Sequence, residues 1–120
     1  MIEELIARVF YARNVAHFEH WRANGVGGYA RHIALGEFYD GVIGALDKLV
    51  EAYQGAFELV GTVQAPKTKA EDVLMILTED AEWIEKNHEK VCKGSRAVGN
   101  LVDGVTEVYI TTAYKLRNLM

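Results

Sequence analysis

The chain has 120 residues, of which half are hydrophobic and a quarter charged, and its formal net charge at pH 7 is −4. This balance indicates one globular domain, and the acidic charge gives no support to nucleic-acid binding through bulk electrostatics. A lone cysteine excludes an intramolecular disulfide framework, and no apolar run approaches the ~18 residues of a membrane span. Because Glu3 and Glu4 stand where a secretory leader would be basic, we expect a cytoplasmic protein.

Long stretches without turn-forming residues and a single proline, Pro66, predict an all-α chain. Helix one is predicted over about residues 2–23, where apolar side chains recur on one helical face. Asn24-Gly25 supplies its C-terminal stop. Because the loop that follows is short and rich in glycine, helix two should return antiparallel to helix one from about Tyr29.

Helix two carries two separate stripes of residues that favour burial. The first has the spacing of a core seam: Leu35, Tyr39, Val42, Leu46, Leu49 and Tyr53. The second lies within about a 100° sector of the helix: His32, Gly36, Ile43, Asp47 and Glu51. A helix with two such faces in a small domain predicts that a second subunit covers one of them.

Helices three and four have recognisable ends. Thr68 and Glu71 form a capping box that predicts the start of helix three. We expect this helix to run without a break to Lys93-Gly94, where a basic last turn meets a glycine. Ser95 is the expected N-cap of helix four, which should extend to about residue 119.

The connection between helices two and three determines whether these two helices run parallel or antiparallel. If helix two continued to Val60, residues 61–67 would span about 25 Å, less than the roughly 35 Å length of the helices. If it ends near Gly55, residues 55–67 span about 43 Å and can cross to the far end. We therefore predict a break near Gly55, where a positive φ would disfavour alanine. The rival is an up-down-up-down arrangement with a short connection.

Four residues form a candidate ligand set for a divalent cation: His20, His32, Asp47 and Glu51. Asp47 and Glu51 are four residues apart, so they project from one face of helix two. His32 lies about 22 Å from Asp47 along that helix, so one ion cannot bind both in a single chain. We therefore expect an antiparallel two-fold dimer through helix two, with its axis near Asp40 and with two equivalent sites.

This pattern resembles the DNA-protection-during-starvation (Dps) mini-ferritins of the ferritin-like superfamily. That family has a His-Trp pair near the end of its first helix, a second His twelve residues later, and a D-x-x-x-E pair on its second helix. The matching residues are His20-Trp21, His32 and Asp47-Lys-Leu-Val-Glu51, with Gly25 in the intervening loop. The resemblance is carried by residues 17–51.

Two departures from the family accompany the match. Gly36 stands where the family commonly has an aspartate, and the adjacent Glu37 could replace that ligand only with a shifted geometry. The chain is also short for the extra helix that Dps proteins carry between their second and third helices. A basic tail of the kind through which some Dps proteins bind DNA is missing too, so DNA binding is not expected.

The resemblance implies a single ferritin-like four-helix bundle over residues 1–120, with iron as its metal. Fe²⁺ would be oxidised at an inter-subunit site to which one chain gives His20 and His32 and its mate gives Asp47 and Glu51. Glu37 would be an extra ligand. The dimer could build a larger hollow cage that stores ferric iron. The alternative is a helical dimer without enzymatic activity, serving as a structural or partner-binding module.

Three further residues have simpler interpretations. Glu85 and His88 have the E-x-x-H spacing of di-iron carboxylate bundles, but only one copy occurs, so we interpret His88 as a hydrogen-bonded core histidine. Cys92 is expected to be a small buried hydrophobe on a helix. His17 is expected to have a surface or core role near His20 and not to be a ligand.

Overall fold

The computed structural model describes residues 1–66 and 70–120, and within them the protein is all-helical, without a strand. Five helices follow one another along the chain: α1 (Ile2–Arg22), α2 (Gly28–Ala56), α3 (Val73–Lys86), α4 (His88–Cys92) and α5 (Arg96–Asn118). In the described part of the chain, no helix combines the length and the low polarity that a membrane crossing requires.

The turn between α1 and α2 confirms the predicted end of helix one to within one residue. Gly25 and Gly27 have φ values of 73° and 76°, which glycine adopts without the steric cost that a Cβ would bring. Gly27 is the N-cap of α2. A Cβ on Gly27 would also lie 3.2 Å from the carbonyl carbon of Met120, so the last residue packs against this turn.

The third predicted helix differs from the structure at its start and in its middle. Asp72 is the N-cap of α3, and its carboxylate accepts a hydrogen bond from the Met75 N–H at 3.0 Å. Thr68, the expected cap, lies outside the described residues. The helix then breaks at Asn87, whose side-chain amide donates to the Trp83 carbonyl oxygen at 2.8 Å. Asparagine competes for helical carbonyls in this way, and the chain restarts as the short α4.

The end of α4 and the start of α5 confirm the predicted boundaries. Lys93 and Gly94 both have positive φ values, 51° and 81°, and close α4 with a left-handed turn. The Ser95 hydroxyl then accepts a hydrogen bond from the Val98 N–H at 3.2 Å and caps α5.

The predicted break near Gly55 is confirmed, since α2 ends one residue later at Ala56. The segment after it lies along α1, because the Gly61 N–H donates to the Glu3 carboxylate at 2.7 Å and the Tyr11 hydroxyl donates to the Ala70 carbonyl oxygen at 3.0 Å. Gly55 does not take a positive φ, so the condition under which alanine would be unfavourable there is not met: this residue is helical, and nothing lies within 4 Å of where its Cβ would be.

The four long helices enclose the core as neighbours in the order α1, α2, α5, α3, with α3 closing back onto α1. Arg8 of α1 contacts Asp80 of α3, and Tyr11 contacts Ala70 just before α3, so these two helices run in opposite directions. Since α1 is also antiparallel to α2, α2 and α3 run in the same direction. Of the predicted seam on α2, all members are buried except Tyr39, which is half-buried.

Candidate functional site

His20 and His32 lie against each other at the end of the molecule where α1 meets α2. Their rings stack with a centroid separation of 3.6 Å and an interplanar angle of 19°. The Nδ1 atom of His20 is 2.6 Å from the His32 carbonyl oxygen, and the Nδ1 atom of His32 is 2.9 Å from the His20 carbonyl oxygen. Because a carbonyl oxygen only accepts, each Nδ1 carries a proton, and in the neutral ring each Nε2 therefore keeps its lone pair.

Gly36 makes room for the His20 ring. A Cβ at position 36 would lie 3.2 Å from Cε1 and 3.3 Å from Nδ1 of His20. The sequence analysis placed Gly36 on the stripe that a second subunit should cover, whereas in the structure it contacts His20 of α1 in its own chain. His32 and Gly36 are therefore partly covered within one subunit.

An aromatic cluster borders the histidine pair. His17 stacks on Tyr39 with centroids 4.0 Å apart and an angle of 15°, and it also lies 4.5 Å from the Trp21 ring. The Arg13 guanidinium lies 5.7 Å from the Tyr39 ring centroid. His17 is half-buried in this cluster, while Trp21 is 65% exposed.

The three carboxylates of the predicted ligand set lie apart from the histidines within one chain. Asp47 and Glu51 are exposed on α2, fifteen and nineteen residues after His32. Glu37 is also exposed, and its carboxylate accepts a hydrogen bond from the Lys115 ammonium of α5 at 2.9 Å. One chain therefore brings together His20 and His32 only. The role of Glu37 as a ligand stays a prediction.

A second group of potential ligands lies at the opposite end of the molecule. His88, Glu89 and Cys92 of α4 place one ligand atom each within 4.8 Å of the others, so this group could hold a metal ion. Cys92 is buried, as predicted, but its sulfur is 3.7 Å from His88 Nδ1 and 3.4 Å from a Glu89 carboxylate oxygen. His88 also contacts the exposed Asp103, at 2.9 Å.

Sequence reasoning missed this group because it paired His88 with Glu85 and treated Cys92 alone. The available signal was the run His88-Glu89-x-x-Cys92, in which the first and last residues are four apart and therefore share one face of a helical turn.

Asp80 forms a buried ionic network in the core. Its carboxylate accepts hydrogen bonds from the Arg8 guanidinium and from the Tyr109 hydroxyl, both at 2.9 Å, and the residue is 2% exposed. Burial raises the pKa of Asp80 to about 6, although both hydrogen bonds oppose that rise. Arg8 also stacks over the Trp83 ring at 4.7 Å. Sequence reasoning missed this network because the partners Arg8 and Tyr109 come from two other helices, although Asp80 lies on the same face of α3 as the buried Leu77 and Ile84.

Comparison with known proteins places the chain in a family but adds no activity. No curated protein matches the chain, and no solved structure does. A family model described as a family of unknown function, DUF5856, matches residues 20–116, which include both histidine-containing groups and the exposed carboxylates of α2. The chain therefore belongs to the DUF5856 family.

Proposed function

We propose that this protein is a cytoplasmic, ferritin-like four-helix bundle of the Dps type that oxidises Fe²⁺ at a two-fold interface. Each site would take His20 and His32 from one chain and Asp47 and Glu51 from its mate. Fe²⁺ is the substrate. The product, ferric iron, would be stored inside a larger closed assembly.

The observation that carries this proposal is the reciprocal hydrogen bonding of His20 and His32. A metal-binding imidazole commonly donates its second N–H to a carbonyl or carboxylate oxygen, which fixes the tautomer and the ring orientation. Both Nδ1 atoms meet that condition here. Neither Nε2 atom has a hydrogen-bond partner in the described part of the chain, so both lone pairs are available to an ion.

The order of the helices also supports the proposal. A ferritin-like bundle needs its second and third helices parallel, joined by a connection that runs the length of the bundle. Residues 61–66 lie along α1, and α3 is antiparallel to α1. The short α4 follows the third helix before the chain turns back into α5.

The exposed carboxylates support a site shared by two chains. Asp47 and Glu51 lie one turn apart on α2 and have no ion-pair partner in the described residues. An antiparallel copy of α2 would bring them to the histidines of its mate. Imidazole suits Fe²⁺, and carboxylates suit the harder Fe³⁺, so the combined set fits both oxidation states. Two ferrous ions would each give one electron to a hydrogen peroxide molecule, which takes up two protons and leaves two water molecules.

Anaerobic titration with Fe²⁺, followed by addition of hydrogen peroxide, tests the proposal. Wild-type protein should bind Fe²⁺ saturably and show a rapid rise of ferric absorbance. His32→Ala should lose the rapid rise of ferric absorbance, whereas Cys92→Ser, which alters the group at the other end of the molecule, should keep it. If wild-type protein shows no saturable binding, the proposal is wrong.

That negative result would support the second candidate, a helical dimer without enzymatic activity that acts as a structural or partner-binding module. Two observations favour it: Gly36 offers no carboxylate where the resemblance expects one, and Glu37 is paired with Lys115.

A further inference from the structure

Two of the three separations among the ligand atoms of α4 match those of a tetrahedral metal site, and the third is no longer than 4.8 Å. With zinc bonds of about 2.3 Å to sulfur and about 2.0–2.1 Å to nitrogen or oxygen, neighbouring ligand atoms of a tetrahedron lie roughly 3.4–3.6 Å apart. His88 Nδ1 is 3.7 Å from Cys92 Sγ, and Sγ is 3.4 Å from a carboxylate oxygen of Glu89. Both separations are within a few tenths of an ångström of the tetrahedral values.

The His88 ring is oriented for this role by α5. Its Nε2 atom is 2.9 Å from the Asp103 carboxylate and 3.1 Å from the Gly99 carbonyl oxygen. Both partners accept hydrogen bonds, so Nε2 carries the proton and the Nδ1 lone pair faces Cys92. A carboxylate behind the imidazole is the usual arrangement at histidine-ligated zinc. Asp103 is therefore a positioning residue, and His88 is the ligand.

Gly99 gives the two ligands room to approach α5. A Cβ at this position would lie 3.2 Å from His88 Cε1 and 3.6 Å from Cys92 Sγ. Beside the ligands, a cavity of about 530 Å³ opens to the surface between α4 and the first turns of α5. Three protein atoms would thus occupy three of the four tetrahedral positions around the ion. The fourth position would face this cavity and bind water.

We propose that His88, Glu89 and Cys92 bind one zinc-class divalent cation, separate from the interface at which iron would be oxidised. The thiolate selects a borderline or soft ion over Mg²⁺ or Ca²⁺, which prefer oxygen ligands. Tetrahedral coordination by nitrogen, sulfur and oxygen is typical of zinc. The ion would replace the proton of the Cys92 thiol, which passes to solvent. It would also link α4 to α5, because Asp103 and Gly99 of α5 hold the His88 ring.

Cobalt titration of metal-stripped, reduced protein is the direct test, since Co²⁺ is a coloured substitute for zinc. Wild-type protein should show a saturable thiolate-to-cobalt charge-transfer band, and Zn²⁺ should abolish it. Cys92→Ser should lose the band, and Glu89→Gln should keep it with weaker binding. Asp103→Asn should also keep the band, with an affinity about 10–100-fold lower.

A matched control is Glu85→Gln, which removes the same charge from an exposed position one turn before His88 and should leave the titration unchanged. His32→Ala should also leave the band intact, so failure of this proposal and failure of the iron proposal are distinguishable. Glu89 and Asp103 are exposed, so their variants report on binding even if Cys92→Ser does not fold. The absence of the band in wild-type protein would overturn the proposal, as would an unchanged affinity in both Glu89→Gln and Asp103→Asn.

Discussion

His20 and His32, twelve residues apart, each bind through Nδ1 to the main-chain carbonyl oxygen of the other. This reciprocal pair links the end of α1 to the start of α2 and stacks the two rings 3.6 Å apart. The same contacts that fix the turn therefore also fix the tautomers of both imidazoles. The fold of this turn and the proposed metal binding depend on the same two hydrogen bonds.

Gly36→Ala should weaken metal binding by the histidine pair while changing the stability of the fold little. The new methyl group would lie 3.2 Å from the His20 ring, so the ring must move and its 2.6 Å hydrogen bond must lengthen. Replacing a helical glycine gains ~1 kcal/mol of helix propensity, which offsets the cost of that shift. Anaerobic Fe²⁺ affinity and urea unfolding measure the two effects separately.

Gly104→Ala is the matched control for that substitution. Gly104 lies in the middle of α5, and nothing is within 4 Å of the position that a methyl group would take there. This variant should gain ~1 kcal/mol in the free energy of unfolding and bind iron as the wild type does. Equal iron affinity in both glycine variants would show that Gly36 does not position His20.

The buried Asp80 should make stability fall as the pH rises from about 4 to about 6. Its pKa is about 6 in the folded protein, against an ordinary value of 3.8. Between these values the folded state holds a proton that the unfolded chain has released, so raising the pH favours unfolding. Urea unfolding of wild type and Asp80→Asn across this range measures the effect. As the pH rises, the free energy of unfolding of the wild type should fall relative to that of the variant by up to about 3 kcal/mol.

Tyr109→Phe provides a second test of the Asp80 network. The Tyr109 hydroxyl donates to the Asp80 carboxylate and lowers its pKa, so removing it should move the pH window upward. Two results together would contradict this description of the Asp80 carboxylate. The free energy of unfolding of the wild type would follow the same pH dependence as that of Asp80→Asn, and Tyr109→Phe would not move the pH window upward.

Glu3 should hold the segment that crosses between α2 and α3. Its carboxylate accepts the Gly61 N–H at 2.7 Å, and this backbone hydrogen bond is the main reason why the pKa of Glu3 is lowered. Glu3→Ala, which removes the acceptor, should therefore speed proteolytic cleavage within residues 57–66. In the wild type, cleavage should speed up below the ordinary pKa of a glutamate.

The control for Glu3→Ala is Glu4→Ala, since Glu4 pairs with Arg8 one turn along α1. This neighbouring variant should be cleaved at the wild-type rate. If both alanine variants are cleaved as slowly as the wild type, the Gly61 hydrogen bond does not restrain the crossing segment.

Local sequence signals predicted most helix boundaries because the residues that end helices act on their immediate neighbours. Gly25 and Gly94 take the positive φ that glycine favours, and Ser95 caps α5 as serine commonly does. The break at Asn87 was not predictable in this way. Asparagine is tolerated within helices, and only its bond to the Trp83 carbonyl shows that it interrupts this one.

The candidate metal ligands were predictable only where sequence spacing alone brings them together. His20 and His32 flank one short turn, so the spacing already placed them close. Cys92 and His88 share a helical turn, but Asp103 reaches them from α5 by tertiary packing. Asp80 was missed for the same reason, because its partners Arg8 and Tyr109 come from two other helices.

The site shared between chains is tested most directly by mixing two inactive variants, His32→Ala and Asp47→Ala, with refolding to exchange subunits. In a mixed dimer one site lacks both His32 and Asp47, and the other site has both. Random exchange of subunits should therefore restore about a quarter of the wild-type peroxide-driven iron oxidation. Mixing His32→Ala with His20→Ala should restore none, because each site takes both histidines from one chain. Recovery in the first mixture alone is the predicted result, and no recovery in exchanged dimers would contradict a site built from two chains.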